Sequence, residues 1–171
     1  LGKDSIDAGV FSLIIGFMLV IIFMFFKYRI FGLISNISLI ANLFMMVGIL
    51  TVLEATLTLP GIAGIILTVG MAVDSNVLIY ERIKEELKTE KSIIHAFDTG
   101  YNKAKITVID ANVTTLIAAA ILFIFGSGPV KGFAVTLGIG IITTLFSAYF
   151  IARHLTSVVV LNDKTGKYFK L

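Results

Sequence analysis

Five apolar runs, at 8–26, 30–53, 62–80, 106–125 and 132–152, set the terms on which this chain can fold. About 20 helical residues cross a bilayer's hydrocarbon core, and a backbone in lipid has no water to satisfy its amides, so such runs close their own hydrogen bonds as helices. The remaining composition agrees: 57% of residues are hydrophobic and only 15% charged, with a mean hydropathy of +1.00, too apolar for an ordinary soluble domain. The expected fold is an all-α membrane protein, a bundle of five transmembrane helices forming one unit over 1–171.

The charges orient the bundle. Lys27 and Arg29 follow the first run; Arg82, Lys84, Lys88, Lys91, Lys103 and Lys105 lie between the third and fourth; Arg153, Lys164, Lys167 and Lys170 follow the fifth. Only Lys3 and Lys131 lie on the other side. The positive-inside rule then places the N-terminus outside and the C-terminus in the cytoplasm. An outside start without an initiating Met or signal peptide leads us to expect an upstream membrane helix and an extracytoplasmic domain. The net charge of +3 belongs to the basic segments, for which anionic lipid head groups suffice as partners and no nucleic acid is needed. With no cysteine, disulfides, zinc–thiolate sites and thiol nucleophiles are excluded. His95 and His154 are too isolated to form a metal site.

The runs differ in character. The first, ending in Phe23-Met24-Phe25-Phe26, reads as an anchor. The second is interrupted by Asn36 and Asn42, residue types that form hydrogen bonds between membrane helices. Pro60 suits the first turn of the third helix. Small residues recur every four positions at Gly64, Thr68, Ala72 and Asn76, and again at Gly132, Thr136, Gly140, Thr144, Ala148 and Ala152. With Gly70, these mark faces for close helix packing. Gly126 and Ser127-Gly128-Pro129 give a tight outside turn. Segment 81–105 is expected to be amphipathic and helical, with Ile79, Ile83 and Leu87 on one face and Ile93, Ile94, Phe97 and Tyr101 on another. It would cap the bundle, lie on the membrane or dock a cytosolic partner. The tail from Asn162 is expected to fray.

One residue is out of place in this apolar setting. Asp74 stands inside the third run with no other ionisable group before Tyr80. A carboxylate at a membrane helix centre costs roughly 2.5 to 3.5 kcal/mol, and such residues mark ion routes and proton relays. Asp110 in the fourth run repeats its setting: Asp74-Ser75-Asn76-Val77 and Asp110-Ala111-Asn112-Val113 share the pattern Asp-x-Asn-Val. Helical rise sets the two acids roughly 12 and 8 Å from the flanking cytoplasmic charges. Both are therefore expected to look into one polar seam, with Asn76, Asn112, Asn36, Asn42 and Thr114 as polar support. A charged Asp there needs water or a cation beside it, whereas a neutral one packs dryly, so a proton can bias two arrangements of the bundle. No basic residue lies mid-helix in the chain, so a cation for Asp74 must come from elsewhere. Asp74 as a mere hydrogen-bond anchor is the competing structural reading.

The run Gly70-Met71-Ala72-Val73-Asp74-Ser75-Asn76-Val77-Leu78-Ile79-Tyr80-Glu81-Arg82-Ile83 closely resembles a membrane-helix signature of the SecD/SecF family of bacterial protein-export subunits. Leu57-Thr58-Leu59-Pro60-Gly61-Ile62-Ala63-Gly64, Asp110-Ala111-Asn112-Val113-Thr114-Thr115 and Phe125-Gly126-Ser127-Gly128-Pro129-Val130-Lys131-Gly132-Phe133-Ala134 resemble the same family in the same order. The opening, residues 1–7, is similar to the start of the family's second membrane helix. Ser75 and Tyr80 stand where Ala and Phe are commoner.

The resemblance implies an RND-type bundle in the bacterial inner membrane, the last five of six helices. It implies a SecF-like partner that supplies the cation, association with the Sec translocon, and contact with translocating polypeptide through an extracytoplasmic domain. It further implies protons as coupling ion with no other cofactor, and a transport role rather than an enzyme's. The family's membrane acids carry over to Asp74 and Asp110. An RND-superfamily exporter of lipids or small molecules is the alternative, beside a purely structural assembly module. No P-loop is present, and Gly70-Met71-Ala72-Val73-Asp74 lacks the Gly-x-Gly-Asp element of an intramembrane aspartyl protease.

Overall fold

The computed structural model describes residues 2–89 and 91–163. Leu1 and the basic tail with Lys164, Lys167 and Lys170, including the end expected to fray, lie outside the described residues. The described residues are helical throughout, with short turns. Helix α1 covers Gly2–Tyr28, α2 Ile30–Val52, α3 Leu59–Glu86, α4 Ile93–Phe125 and α5 Pro129–Phe146. Helix α5 passes through a π-helical turn, Ser147–Ala152, into α6, Arg153–Asn162, so that one continuous rod spans Pro129–Asn162. Five helices are thus long and apolar enough to cross a membrane.

Helix α3 lies at the centre, packed against α5, α4 and α1. Thr58 begins it by accepting a hydrogen bond from the Gly61 amide at 3.2 Å, with Pro60 in the first turn. Residue types that spend their acceptors on a helix start fix where it begins. Helix α1 contributes only Met24 and Tyr28 to the buried set, and its Phe11, Leu19 and Phe26 face outward, as suits a helix bordered by lipid.

Segment 81–105 is largely the continuation of α3, which ends in a turn at 87–89, and the start of α4. Ile83, Phe97 and Tyr101 are buried in the bundle together with Tyr28, Phe31 and Tyr80, and Leu87 and Ile93 pack against them, whereas Ile94 is exposed. Gly100 permits this crossing, since a Cβ there would meet the Ile83 Cα at 2.7 Å. Tyr28 Oη donates to Glu81 Oε1 at 2.9 Å, which sets the α1–α2 turn beside the end of α3. The basic residues at 27–29 and 82–105 therefore share one end of the molecule.

Small residues make the α3–α5 contact. A Cβ on Gly64 would lie 3.1 Å from Thr136 Cβ, and one on Gly140 would lie 2.9 Å from Thr68 Cβ. Gly132 abuts the Thr58 hydroxyl. Gly70 packs against no other helix of this bundle: nothing lies within 4 Å of where its Cβ would be. It sits on the exposed stripe of α3, two residues from Thr68 and so nearly opposite the row that faces α5. Gly140→Val is accordingly expected to destabilise the bundle by about 1–3 kcal/mol through overpacking, whereas Gly70→Ala should stay within about 0.5 kcal/mol. Thermal unfolding of the two variants in detergent measures the contrast.

Candidate groove around Asp74

Helix α3 is buried on most sides, yet Ala63, Leu67, Gly70, Asp74 and Leu78 are exposed. The spacing of four, three, four and four makes them one stripe. Asp74 thus stands on the open face of the most central helix, at the edge of a cavity of about 220 Å³ between α3 and α4. Met71, Ser75, Leu78, Val108, Ala111, Asn112 and Thr115 complete its walls.

The polar walls have a common chemistry. Ser75 Oγ donates to Met71 O at 2.8 Å, and Thr115 Oγ1 donates to Ala111 O at 3.0 Å. Asn112 Nδ2 donates to Val108 O at 2.7 Å. Each side chain spends a proton on its own helix, a habit of short polar residues in helices. What remains on these walls is mostly acceptor oxygen, beside the second N–H of the Asn112 amide; Asn112 Oδ1 is buried with no hydrogen-bond partner among the described residues. Asp74 makes no hydrogen bond or ion pair with another described residue. Against these walls a carboxylic acid has acceptors for its O–H, while a carboxylate finds at most one amide N–H and otherwise draws on water or an outside cation.

Asp110 does not join this groove. It is exposed, and Asn112 lines the cavity in its place. Two residues along a helix turn the side chain by about 200°, so with Val108 and Asn112 facing α3, Asp110 points away. The seam with two acids is corrected to one acid and one amide. The sign was present in α4: Phe97, Tyr101, Ala104, Val108, Asn112 and Ala119 are among its buried positions, a helical stripe that skips 110. Thr114 shares the exposed side, its hydroxyl donating to the Asp110 carbonyl at 2.9 Å.

The remaining amides lie elsewhere. Asn36 Nδ2 donates to Ile21 O at 3.0 Å, tying α2 to α1. Asn42 Nδ2 donates to Thr144 Oγ1 at 3.1 Å, tying α2 to α5. Asn76 is buried on the side of α3 away from the cavity, with its Oδ1 unpartnered. Sequence reasoning missed the π-helical turn. Ser38 Oγ reaches from α2 to the Ser147 carbonyl at 3.1 Å, where this turn begins.

Past Leu78 the groove continues into a second depression that Glu81, Arg82, Glu85 and Lys103 border at the basic end. Its cations are committed. Arg82 pairs with Glu85 at 2.9 Å and Glu86 at 3.2 Å, and Lys103 Nζ lies 2.8 Å from Glu86 Oε1. This latch, beyond the apolar part of both helices, leaves neither cation for Asp74.

Residues 1–162 match the family model described as protein export membrane protein SecD/SecF, C-terminal. The chain is 51% identical over 164 residues to the protein translocase subunit SecD of Magnetococcus marinus, covering 96% of this chain and 31% of that protein. It is 55% identical over 170 residues to SecD of Rickettsia prowazekii, covering 99% of this chain and 32% of that one. The chain therefore spans about a third of the curated relatives it matches. Among solved structures it is similar to SecDF of Thermus thermophilus, described as a translocon-associated membrane protein, with a TM-score of 0.91 at 42% identity over 95% of this chain and 23% of that one. A SecDF structure described as the super-membrane-facing form gives 0.88 at the same identity, covering 95% of this chain and 22% of that one.

Proposed function

The chain belongs to the SecD/SecF family of protein-export membrane proteins, and we propose that it is the bundle through which a proton gradient is coupled to polypeptide export across the bacterial inner membrane. The observation that carries this reading is Asp74, an acid in a membrane-spanning helix that opens onto a groove rich in acceptor oxygens, with no cation among the described residues committed to it. Protonated, the side chain donates into that groove; deprotonated, it calls for a positive partner. The two states favour different neighbours, which is what a coupling ion needs in order to shift a conformational equilibrium.

A SecF-like subunit is the partner we assign to the open stripe of α3, with the cation for deprotonated Asp74 on one of its helices. The related Thermus thermophilus protein is SecDF, SecD and SecF joined under one name, which supports this pairing. Asp110, on the outer face of α4, would serve a separate contact or a later step. The translocating polypeptide and the Sec translocon would be engaged by parts of the intact subunit outside this bundle. Coupling of this kind is transport and needs no catalytic group or cofactor besides the proton.

The partner assignment has a direct test. Cysteines placed at Gly70 or Leu78, which flank Asp74 on the exposed stripe, are expected to cross-link to cysteines on the SecF-like subunit in the assembled complex. Neither position is needed inside the bundle, so the substitutions should fold. Failure of both positions against a full scan of partner helices would overturn the assignment.

A further inference from the structure

The turn between α1 and α2 is one residue long, and that residue is Arg29, held at φ 51°. This is the left-handed region, where glycine is the easy occupant and a longer side chain strains the backbone. No interaction among the described residues offsets the strain, because the Arg29 guanidinium has no hydrogen bond or ion pair with any of them. It stands instead at the rim of a cavity of about 540 Å³, whose other walls are Phe25, Phe26, Ile30 and Leu33.

The shape and chemistry of that cavity narrow what fits it. Its walls are apolar except for the one cation, and Phe26 is 78% exposed. The Tyr28–Glu81 hydrogen bond fixes the turn at the basic end of the bundle, where helices leave the hydrocarbon and meet the headgroup layer. Lys27, also exposed, adds a second positive charge beside it. A partner's acidic side chain would satisfy Arg29 but leave the aromatic and aliphatic walls in contact with nothing apolar. An amphiphile with a phosphate and an acyl chain satisfies both. Guanidinium binds a phosphate through paired hydrogen bonds.

We propose that Arg29 and the cavity bordered by Phe25, Phe26 and Leu33 form a binding site for an anionic phospholipid. The phosphate sits on the guanidinium and one acyl chain lies along Phe25, Phe26 and Leu33. Arg29 is kept at a position suited to glycine because the turn aims its side chain at the headgroup. The site is on the α1–α2 edge and does not depend on the role given to Asp74.

The test places a reporter in the cavity. The sequence contains no tryptophan, so Phe26→Trp in the intact protein, with tryptophans elsewhere in it replaced by phenylalanine, gives a local fluorescence signal. The protein is reconstituted in phosphatidylcholine vesicles carrying a minor fraction of dibrominated phosphatidylglycerol or, in parallel, dibrominated phosphatidylcholine. Quenching should show the anionic lipid favoured about fivefold, the scale set by one basic residue at a charged membrane surface. Arg29→Gly should cut that ratio sharply, to the small preference Lys27 alone supplies, without lowering the thermal midpoint, and Arg29→Lys should keep most of the preference. Arg29→Asn, which tolerates the left-handed turn and carries no charge, replaces the glycine variant if that one loosens the hairpin. Equal quenching by both lipids, or an unchanged preference in the uncharged variants, overturns the proposal. Absence of quenching by either lipid overturns it as well, because another protein segment then fills the cavity.

Discussion

Asp74→Asn in the intact subunit is expected to leave the complex assembled and to remove the part of export that depends on the proton gradient. The two side chains have nearly the same shape, and Asp74 holds no partner within the described bundle whose loss would disturb packing. An amide cannot gain or lose a proton in this range, so the variant is fixed in one state and nothing remains for the gradient to shift. Export into inverted membrane vesicles, measured with and without a gradient, should give one rate, equal to that of the unaltered protein with its gradient collapsed. Asp110→Asn should retain most of the gradient dependence, because its side chain lies outside the groove. A gradient response of normal size in the Asp74 variant would sink the coupling proposal. An equal loss in both variants would instead show that the acids act as a pair, against the assignment of Asn112 as Asp74's neighbour.

Gly32→Ala is expected to have the largest effect on the fold itself. A Cβ at Gly32 would land on the Met24 carbonyl oxygen. Backbone atoms cannot turn aside as the end of a side chain can, and the single-residue turn at Arg29 gives α1 and α2 no slack with which to separate. The expected cost is about 3 kcal/mol, the upper part of the range for overpacking, enough to lower the amount of folded protein several-fold in cells. Gly48→Ala is the control, since nothing lies within 4 Å of its Cβ position. Thermal unfolding and the steady-state membrane level of both variants decide the matter. An unchanged midpoint for Gly32→Ala would mean that the hairpin is more open in the intact protein than in this bundle.

Much of the site can be read from the residues. The cost of a carboxylate in hydrocarbon singles out Asp74 whatever the neighbouring helices do, because that cost comes from the medium. The small-residue rows at Gly64 and Gly140 are also legible, since a repeat of four marks one line on a helix. The phase of α4 was harder to read. In a soluble protein the apolar stripe reports which side faces inward. In a membrane the lipid is as apolar as the core, so the stretch 106–125 looks alike on both sides. Asp110 and Asn112 are therefore equal candidates on paper, and only the packing of Val108 and Asn112 toward α3 separates them. Gly70 illustrates the same difficulty, being one small residue among several until its neighbours are known.

What the sequence determined by itself is therefore everything that depends on one helix and its solvent: five spans, their charge-marked ends, the helix start around Pro60 and the misplaced acid at Asp74. What the tertiary structure decided is everything that depends on two helices meeting. It turned Asp110 outward, set Asn112 beside Asp74, and required glycine at 32 and 100, where one helix passes within contact of another's backbone. The physical reason is one of range. Burial in lipid and helix capping act over a few residues, whereas rotation about a helix axis is fixed only by the partner it packs against.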